Sequence, residues 1–271
     1  MAQPHAVLLA LHGGGTTSTY FDCPGRPRLS LLRTAASLGF TAIALDRPGY
    51  GISEKHAEKI TDTGHQVDLA FAALDTLLMD RPHGAGVFLL AHSAGCELAL
   101  RMAATERGRD MIGLELAGTG RQPQWTARNI LDSTERDAAS RPTRPQGLRA
   151  LLWGPRHLYA PDVYADRTIS ARSPRYELEA RHWVDEFPEL AAQVRIPVQF
   201  SLGDHETVWR AGPDALADVA ALFTASPNVR VNEQANAGHN LSLSLTARAY
   251  HLKVLSFVEE CAIPQGPDGH G

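Results

Sequence analysis

The stretch VFLLAHSAGCELALRMAAT, Val87 to Thr105, decides the fold. From Val87 to Ala91 every residue is apolar, the length and texture of a strand buried on both faces. His92, Ser93, Ala94 and Gly95 follow, and then CELALRMAAT, apolar at helical spacing. Ser93 therefore falls at a strand-to-helix junction. Small neighbours there let strand and helix crowd together and hold a hydroxyl clear of the sheet edge. Such a serine is read either as an exposed nucleophile or as the N-cap of the helix, and its partners elsewhere in the chain decide between them.

Outward from that junction the same rhythm recurs. Ala6 to Leu11, Thr41 to Leu45 and Ile112 to Leu116 read as further strands, and Leu29 to Leu38, Asp62 to Met79 and Ala94 to Glu106 as helices between them. Repeated βα units predict an α/β protein with a mostly parallel central sheet flanked by helices. After Arg195 the rhythm resumes with a strand from Ile196 to Leu202, a helix from Pro213 to Thr224, a strand around Asn228 to Val231 and a closing helix from Ser242 to Glu260. The tail PQGPDGHG is expected to fray. Between Arg121 and Glu189 the chain is broken by PTRP (Pro142 to Pro145), WGP, APD and RSPR, and no run reads as a core strand. Residues 1–120 and 190–271 thus form the expected core, and 121–189 an inserted subdomain. Its expected helical pieces are Trp125 to Ser133, Pro145 to Trp153 and Glu177 to Phe187. Trp125, Trp153 and Trp183 are read chiefly as that subdomain's own core, with one or two as candidates to line a cleft.

At 271 residues, with 44% hydrophobic and 21% charged, the chain can bury roughly three quarters of its unfolded surface, which excludes disordered, collagen-like and coiled-coil classes. The net charge of -4, without a basic run, lacks the electrostatic footprint of a nucleic-acid binder. The apolar run near the start is too short for a signal core or a membrane span, so a cytoplasmic protein with no membrane partner is expected. Cys23, Cys96 and Cys261 are odd in number and lack CxxC spacing, which suits a reducing compartment better than a disulfide framework or a zinc site. No metal and no cofactor is expected. Nothing in the pattern bears on oligomeric state.

A serine hydroxyl needs a base, and the base needs a group that fixes its tautomer and stabilises its imidazolium. His239, in NAGHN after the last predicted strand, lies where a loop reaches the same sheet edge. The loop after the strand ending at Leu202 reads Gly203, Asp204, His205, Glu206, and two carboxylates compete there for the acid's place. At the first strand LALHGGGTTS offers consecutive glycines whose N–H groups can face a developing oxyanion. A phosphate loop is disfavoured, because GxGxxG and GKS/GKT are both missing and Asp46 belongs to a DRPGYG turn.

In chain order, HGGG (His12 to Gly15), LDRPGYGIS (Leu45 to Ser53), AHSAG (Ala91 to Gly95), LGDHE (Leu202 to Glu206) and AGHN (Ala237 to Asn240) resemble the α/β-hydrolase superfamily over the whole chain outside the insertion. The serine motif departs from GxSxG only in Ala91. The resemblance implies Ser93 as nucleophile, His239 as base, and the N–H groups of Gly14 and Ala94 as the oxyanion hole, with Gly15 as a third candidate donor. It places the acid three residues after the glycine that ends its strand, which selects Glu206 over Asp204, although the family usually carries Asp at that spacing. His12 is expected to orient the glycine loop. His92 and His205 either shape the site or face solvent. The insertion corresponds to the family's helical cap. The implied activity is a serine hydrolase acting on an ester, thioester or lactone of a small molecule through an acyl-enzyme. A carbon–carbon bond hydrolase, a non-hydrolytic lyase or cyclase, and a low-turnover small-molecule binding protein are the alternatives.

Overall fold

The computed structural model describes residues 3–60, 62–130, 147–179 and 183–263. Six strands, β1 (Val7–Leu11), β2 (Thr41–Leu45), β3 (Val87–His92), β4 (Gly113–Ala117), β5 (Val198–Gly203) and β6 (Val229–Gln234), form one sheet in the order β2-β1-β3-β4-β5-β6. Every pairing is parallel, with β3 between β1 and β4 through Leu11↔Ala91 and Ala91↔Leu116. Parallel strands require crossovers, and these are the helices α1 (Leu31–Ser37), α2 (Thr63–Leu78) and α3 (Gly95–Ala104) in the first half.

The two-residue period of the strands sorts the core into two layers. Val7, Leu9, Leu11, Leu89, Leu114, Leu116 and Phe200 join α2 and α3 on one face, whereas Ala6, Leu8, Ala10, Phe88 and Leu90 join α1 and the closing helix on the other. Both faces are covered, which is why the strand segments read as unbroken apolar runs. The exception is β6, an edge strand whose Arg230 and Glu233 are exposed. Its last three residues, Asn232 to Gln234, carry no hydrophobic signal, so the predicted strand around Asn228 to Val231 lengthens to Gln234.

Within residues 121–189 the described helices are 125–130, α4 (Leu148–Leu152), α5 (Pro161–Ala165) and α6 (Arg175–Glu179), followed by α7 (Trp183–Gln193). Of the helix expected from Glu177 to Phe187, the first residues fall in α6 and the last in α7, and 180–182 lie outside the described residues. α7 buries Trp183, Phe187 and Ala191 in the same layer as α3, against the sheet. α8 (Pro213–Ala220) and α9 (Ala247–Ala262) complete the described helices. The Pro142 to Pro145 breaks, the end of the expected helix beyond Ile130, and the tail from 264 lie outside the described residues. All strands point the same way, so the loops following β1, β3, β5 and β6 converge at one carboxyl edge, where open α/β sheets place their sites.

Candidate active site

Ser93 sits at that edge with φ +50, a left-handed conformation for a non-glycine residue that costs on the order of 1–3 kcal/mol. The turn is pinned on both sides: Ser93 N–H donates to Ala117 O at 2.8 Å, and Cys96 N–H donates to Ser93 O at 2.8 Å. Its tightness explains Gly95, where a Cβ would come within 2.5 Å of the carbonyl oxygens of both Leu11 and His12. The helix that follows is not N-capped by a side chain. Ser93 Oγ instead lies 3.0 Å from His239 Nε2.

His239, 2% exposed, follows β6 on a turn through Asn236 (φ +53). Its Nδ1 lies 3.1 Å from each carboxylate oxygen of Glu206, and Glu206 Oε1 also accepts the Val208 N–H at 2.7 Å. A carboxylate can only accept, so Nδ1 carries the proton and Nε2 is left to accept the Ser93 hydroxyl hydrogen. Asp204 is turned to other work. It accepts the N–H groups of Asn236 and Ala237 at 2.9 and 3.1 Å, and pairs with the half-exposed His205 at 2.8 Å. Asp204 thereby ties the β5 loop to the β6 loop, and His205 stands at the surface with its ring beside His157.

His92 is buried rather than solvent-facing. Its ring stacks on Tyr20 with centroids 4.5 Å apart, and Nε2–H donates to the main-chain oxygen of His239 at 2.8 Å. Burial, reinforced by the neighbouring His239, pushes its pKa well below the ordinary value, so the ring is neutral. His12 fixes the glycine loop: Nδ1–H donates to Gly13 O at 2.8 Å and Nε2 accepts the Arg47 N–H at 3.1 Å. Burial and then the charge of Arg47 lower its pKa to about 3 against the opposing Gly13 bond, a state unsuited to carrying protons at neutral pH.

Among the described residues the N–H groups of Gly14 and Ala94 donate to no protein acceptor, whereas Gly15 N–H donates to the Tyr50 hydroxyl at 3.1 Å and so is not a free third donor. Residues between 121 and 189 are hydrogen-bonded to these loops. Ala171 N–H donates to Gly15 O at 2.8 Å, Gln124 Nε2 donates to Glu206 O at 2.7 Å, and Asn240 Nδ2 donates to Leu152 O at 2.7 Å. Glu177 reaches the glycine loop and pairs with Arg47 and Tyr50. Of the three tryptophans between 121 and 189, Trp125 is 77% exposed, Trp153 packs among Tyr159 and Tyr164, and Trp183 lies in the core against Phe187.

Sequence reading did not single out Arg47, Tyr50 or Glu177; the first two were present as an unexplained arginine and tyrosine inside DRPGYG, and Glu177 only as the start of a predicted helix. Among the described residues no group of three or more His, Cys, Asp or Glu is arranged to hold a metal ion, and no helix is long and apolar enough to cross a membrane.

A family model described as the alpha/beta hydrolase family matches residues 7–250. Among solved structures, a soluble variant of monoglyceride lipase from Saccharomyces cerevisiae, in complex with a substrate analog, is similar with TM-score 0.71 and 14% identity, over 96% of this chain and 88% of that one. The monoacylglycerol lipase of Paleococcus ferrophilus is similar with TM-score 0.65 and 15% identity, over 96% and 97%. A carboxyl esterase from Bacillus coagulans has TM-score 0.65 and 16% identity, over 97% and 92%. Among curated proteins nothing matches. At these identities the structural likeness speaks for the fold.

Proposed function

The chain belongs to the alpha/beta hydrolase family, and from that premise we propose that it is a serine hydrolase cleaving an ester, thioester or lactone of a small molecule through an acyl-enzyme on Ser93. The observation that carries this reading is the unbroken hydrogen-bonded chain from Ser93 Oγ through His239 to Glu206. The lipases and esterase it resembles in fold point to the same reaction class.

In this reading Ser93 Oγ attacks the substrate carbonyl carbon while its proton passes to His239 Nε2. Glu206 balances the imidazolium without itself taking the proton. The N–H groups of Gly14 and Ala94 receive the oxyanion, each worth about 3 kcal/mol if the site behaves like measured oxyanion holes. Collapse breaks the bond to the leaving group, which takes the proton from His239. A water then gives a proton to His239 and attacks the acyl carbon, and collapse breaks the bond to Ser93 Oγ, which takes that proton back as the acid is released. Residues 121–189 act as a cap that shapes the substrate range, a role supported by the bonds from Gln124, Leu152 and Ala171 to the site loops. The free cysteines, two of them buried, suit a cytoplasmic setting.

An active-site serine probe such as a fluorophosphonate, run beside a panel of nitrophenyl esters, tests the proposal. The wild type is expected to be labelled and to turn over esters, and Ser93→Ala to lose labelling and on the order of 10³-fold or more in kcat with its fold intact. Undiminished turnover by Ser93→Ala overturns the nucleophile assignment, and labelling of the wild type without turnover of any ester favours the lyase or binding alternatives.

A further inference from the structure

We propose that Arg47 and Tyr50 form a subsite for a substrate carboxylate beside the glycine loop, a place held in the structure by the protein's own Glu177. The inference rests on the hydrolase reading and adds a substrate class to it: esters whose acyl group ends in a carboxylate, the half-esters of short dicarboxylic acids.

Arg47 is 3% exposed, and a guanidinium so buried demands an anionic partner. It is fixed in place, since its own N–H is held by His12 and its charged head lies 4.9 Å from the centre of the Tyr50 ring. Its anion does not come from the surrounding core. Glu177, on α6 of the inserted segment, supplies one carboxylate oxygen to Arg47 Nη2 and accepts the Tyr50 hydroxyl hydrogen on the other. The grip on Arg47 is one-sided. Arg47 Nε is buried and donates to nothing among the described residues, although the planar fork of a guanidinium is built to hold a carboxylate by two parallel bonds. A carboxylate arriving on a freely oriented acyl chain can span Nε and Nη2, which Glu177 does not.

The subsite lies next to the reacting position. A Cβ placed on Gly14 would stand 3.3 Å from Glu177 Oε2 and 3.6 Å from the Ala94 Cβ, so carboxylate and nucleophile turn share one small space. Tyr50 links the two, because its hydroxyl also receives the Gly15 N–H. From that proximity we take the acyl group that would join a carbonyl on Ser93 to a carboxylate on Arg47 to be short, a few methylenes long. A neutral acyl group leaves Glu177 in place, whereas an anionic one must displace it.

The test compares wild type, Glu177→Gln and Glu177→Ala on the nitrophenyl ester of butyrate and the nitrophenyl half-esters of succinate, glutarate and suberate. With Glu177→Ala, kcat/KM for a short half-ester relative to butyrate is expected to rise at least tenfold over the wild-type ratio. The gain peaks at succinate or glutarate and fades at suberate, and Glu177→Gln, which keeps the shape and removes the charge, moves the same way. Free glutarate is expected to protect Ser93 from the fluorophosphonate at lower concentration in Glu177→Ala than in wild type. A ratio that stays put, or that rises equally at every chain length, overturns the subsite while butyrate turnover keeps the hydrolase reading standing. Failure of the wild type to cleave every ester, butyrate included, sinks that reading and the subsite with it.

Discussion

Two carboxylates two residues apart do different work because of where each points. Glu206 turns inward to His239, and Asp204 turns outward to the N–H groups of Asn236 and Ala237. If Glu206 is the acid of the proposed triad, Glu206→Gln lowers kcat by on the order of 10³ to 10⁴, since an amide offers Nδ1 a donor and no balancing charge. Asp204→Asn keeps its kcat within about tenfold and registers mainly as lower stability, because one acceptor oxygen of the loop tie survives. Steady-state kinetics on both variants, with thermal melts beside them, checks the contrast, and equal losses of kcat would refute it. Position along the chain was enough to bring Ser93, His239 and the Glu206 loop to one edge, since parallel strands leave little choice about where their following loops go. Direction of a side chain is a different matter. Whether Gly15 keeps a free N–H depends on Tyr50, which is 35 positions away in sequence, and no spacing argument reaches that far.

At the scale of elements, legibility follows the hydrophobic signal. The strands with apolar runs stand within a residue or two of where those runs lie, and β6 extends past its predicted end because its exposed side chains need not be apolar. Around α7 the signal was present and its address was not. Trp183 reads as aromatic filling for the insertion, yet the helix that carries it packs on the sheet layer with α3, and periodicity alone cannot say which surface an amphipathic helix will meet. The packing has a measurable consequence. Phe187 is fully buried, so Phe187→Ala removes its transfer energy and leaves a cavity, a loss of about 3–5 kcal/mol. Trp125→Ala, at an exposed site, shifts stability by no more than about 0.5 kcal/mol. Denaturant unfolding of the two variants distinguishes a helix that belongs to the core from one that merely covers it; a Phe187→Ala midpoint unchanged from wild type contradicts the packing described.

Across the whole molecule, the buried titratable groups set where stability peaks. His12 and His251 are both lowered by burial to about 3 from 6.5, with Arg47 also pressing on His12. Between those values the unfolded chain binds two protons that the folded one refuses, so stability rises with pH from about 3 to 6.5 and their contribution is whole above 6.5. His92, depressed in the same direction, adds to the slope. Glu115, in the middle of β4 with Oε1 accepting the Tyr250 hydroxyl at 3.0 Å, is raised by burial from 4.5 to about 8, against the weaker lowering by its hydrogen bonds. Here the folded chain keeps a proton that the unfolded one has lost. The stability tied to it is full below 4.5, falls as pH rises, and is gone above about 8. From 4.5 to 6.5 these histidines outweigh the Glu115 carboxyl, and above 6.5 the carboxyl is, of these groups, the one left to act. The melting temperature of the protein is therefore expected to peak near pH 6.5 and to decline on both sides. Glu115→Gln imitates the neutral acid, keeps an acceptor for Tyr250, and has no proton to lose. In that variant the decline from 6.5 to 8 should flatten while the acid side stays as steep as before. Calorimetric melts of wild type and variant from pH 4 to 9 supply the comparison, and an alkaline limb that persists unchanged in Glu115→Gln would place its origin in groups other than this buried carboxyl.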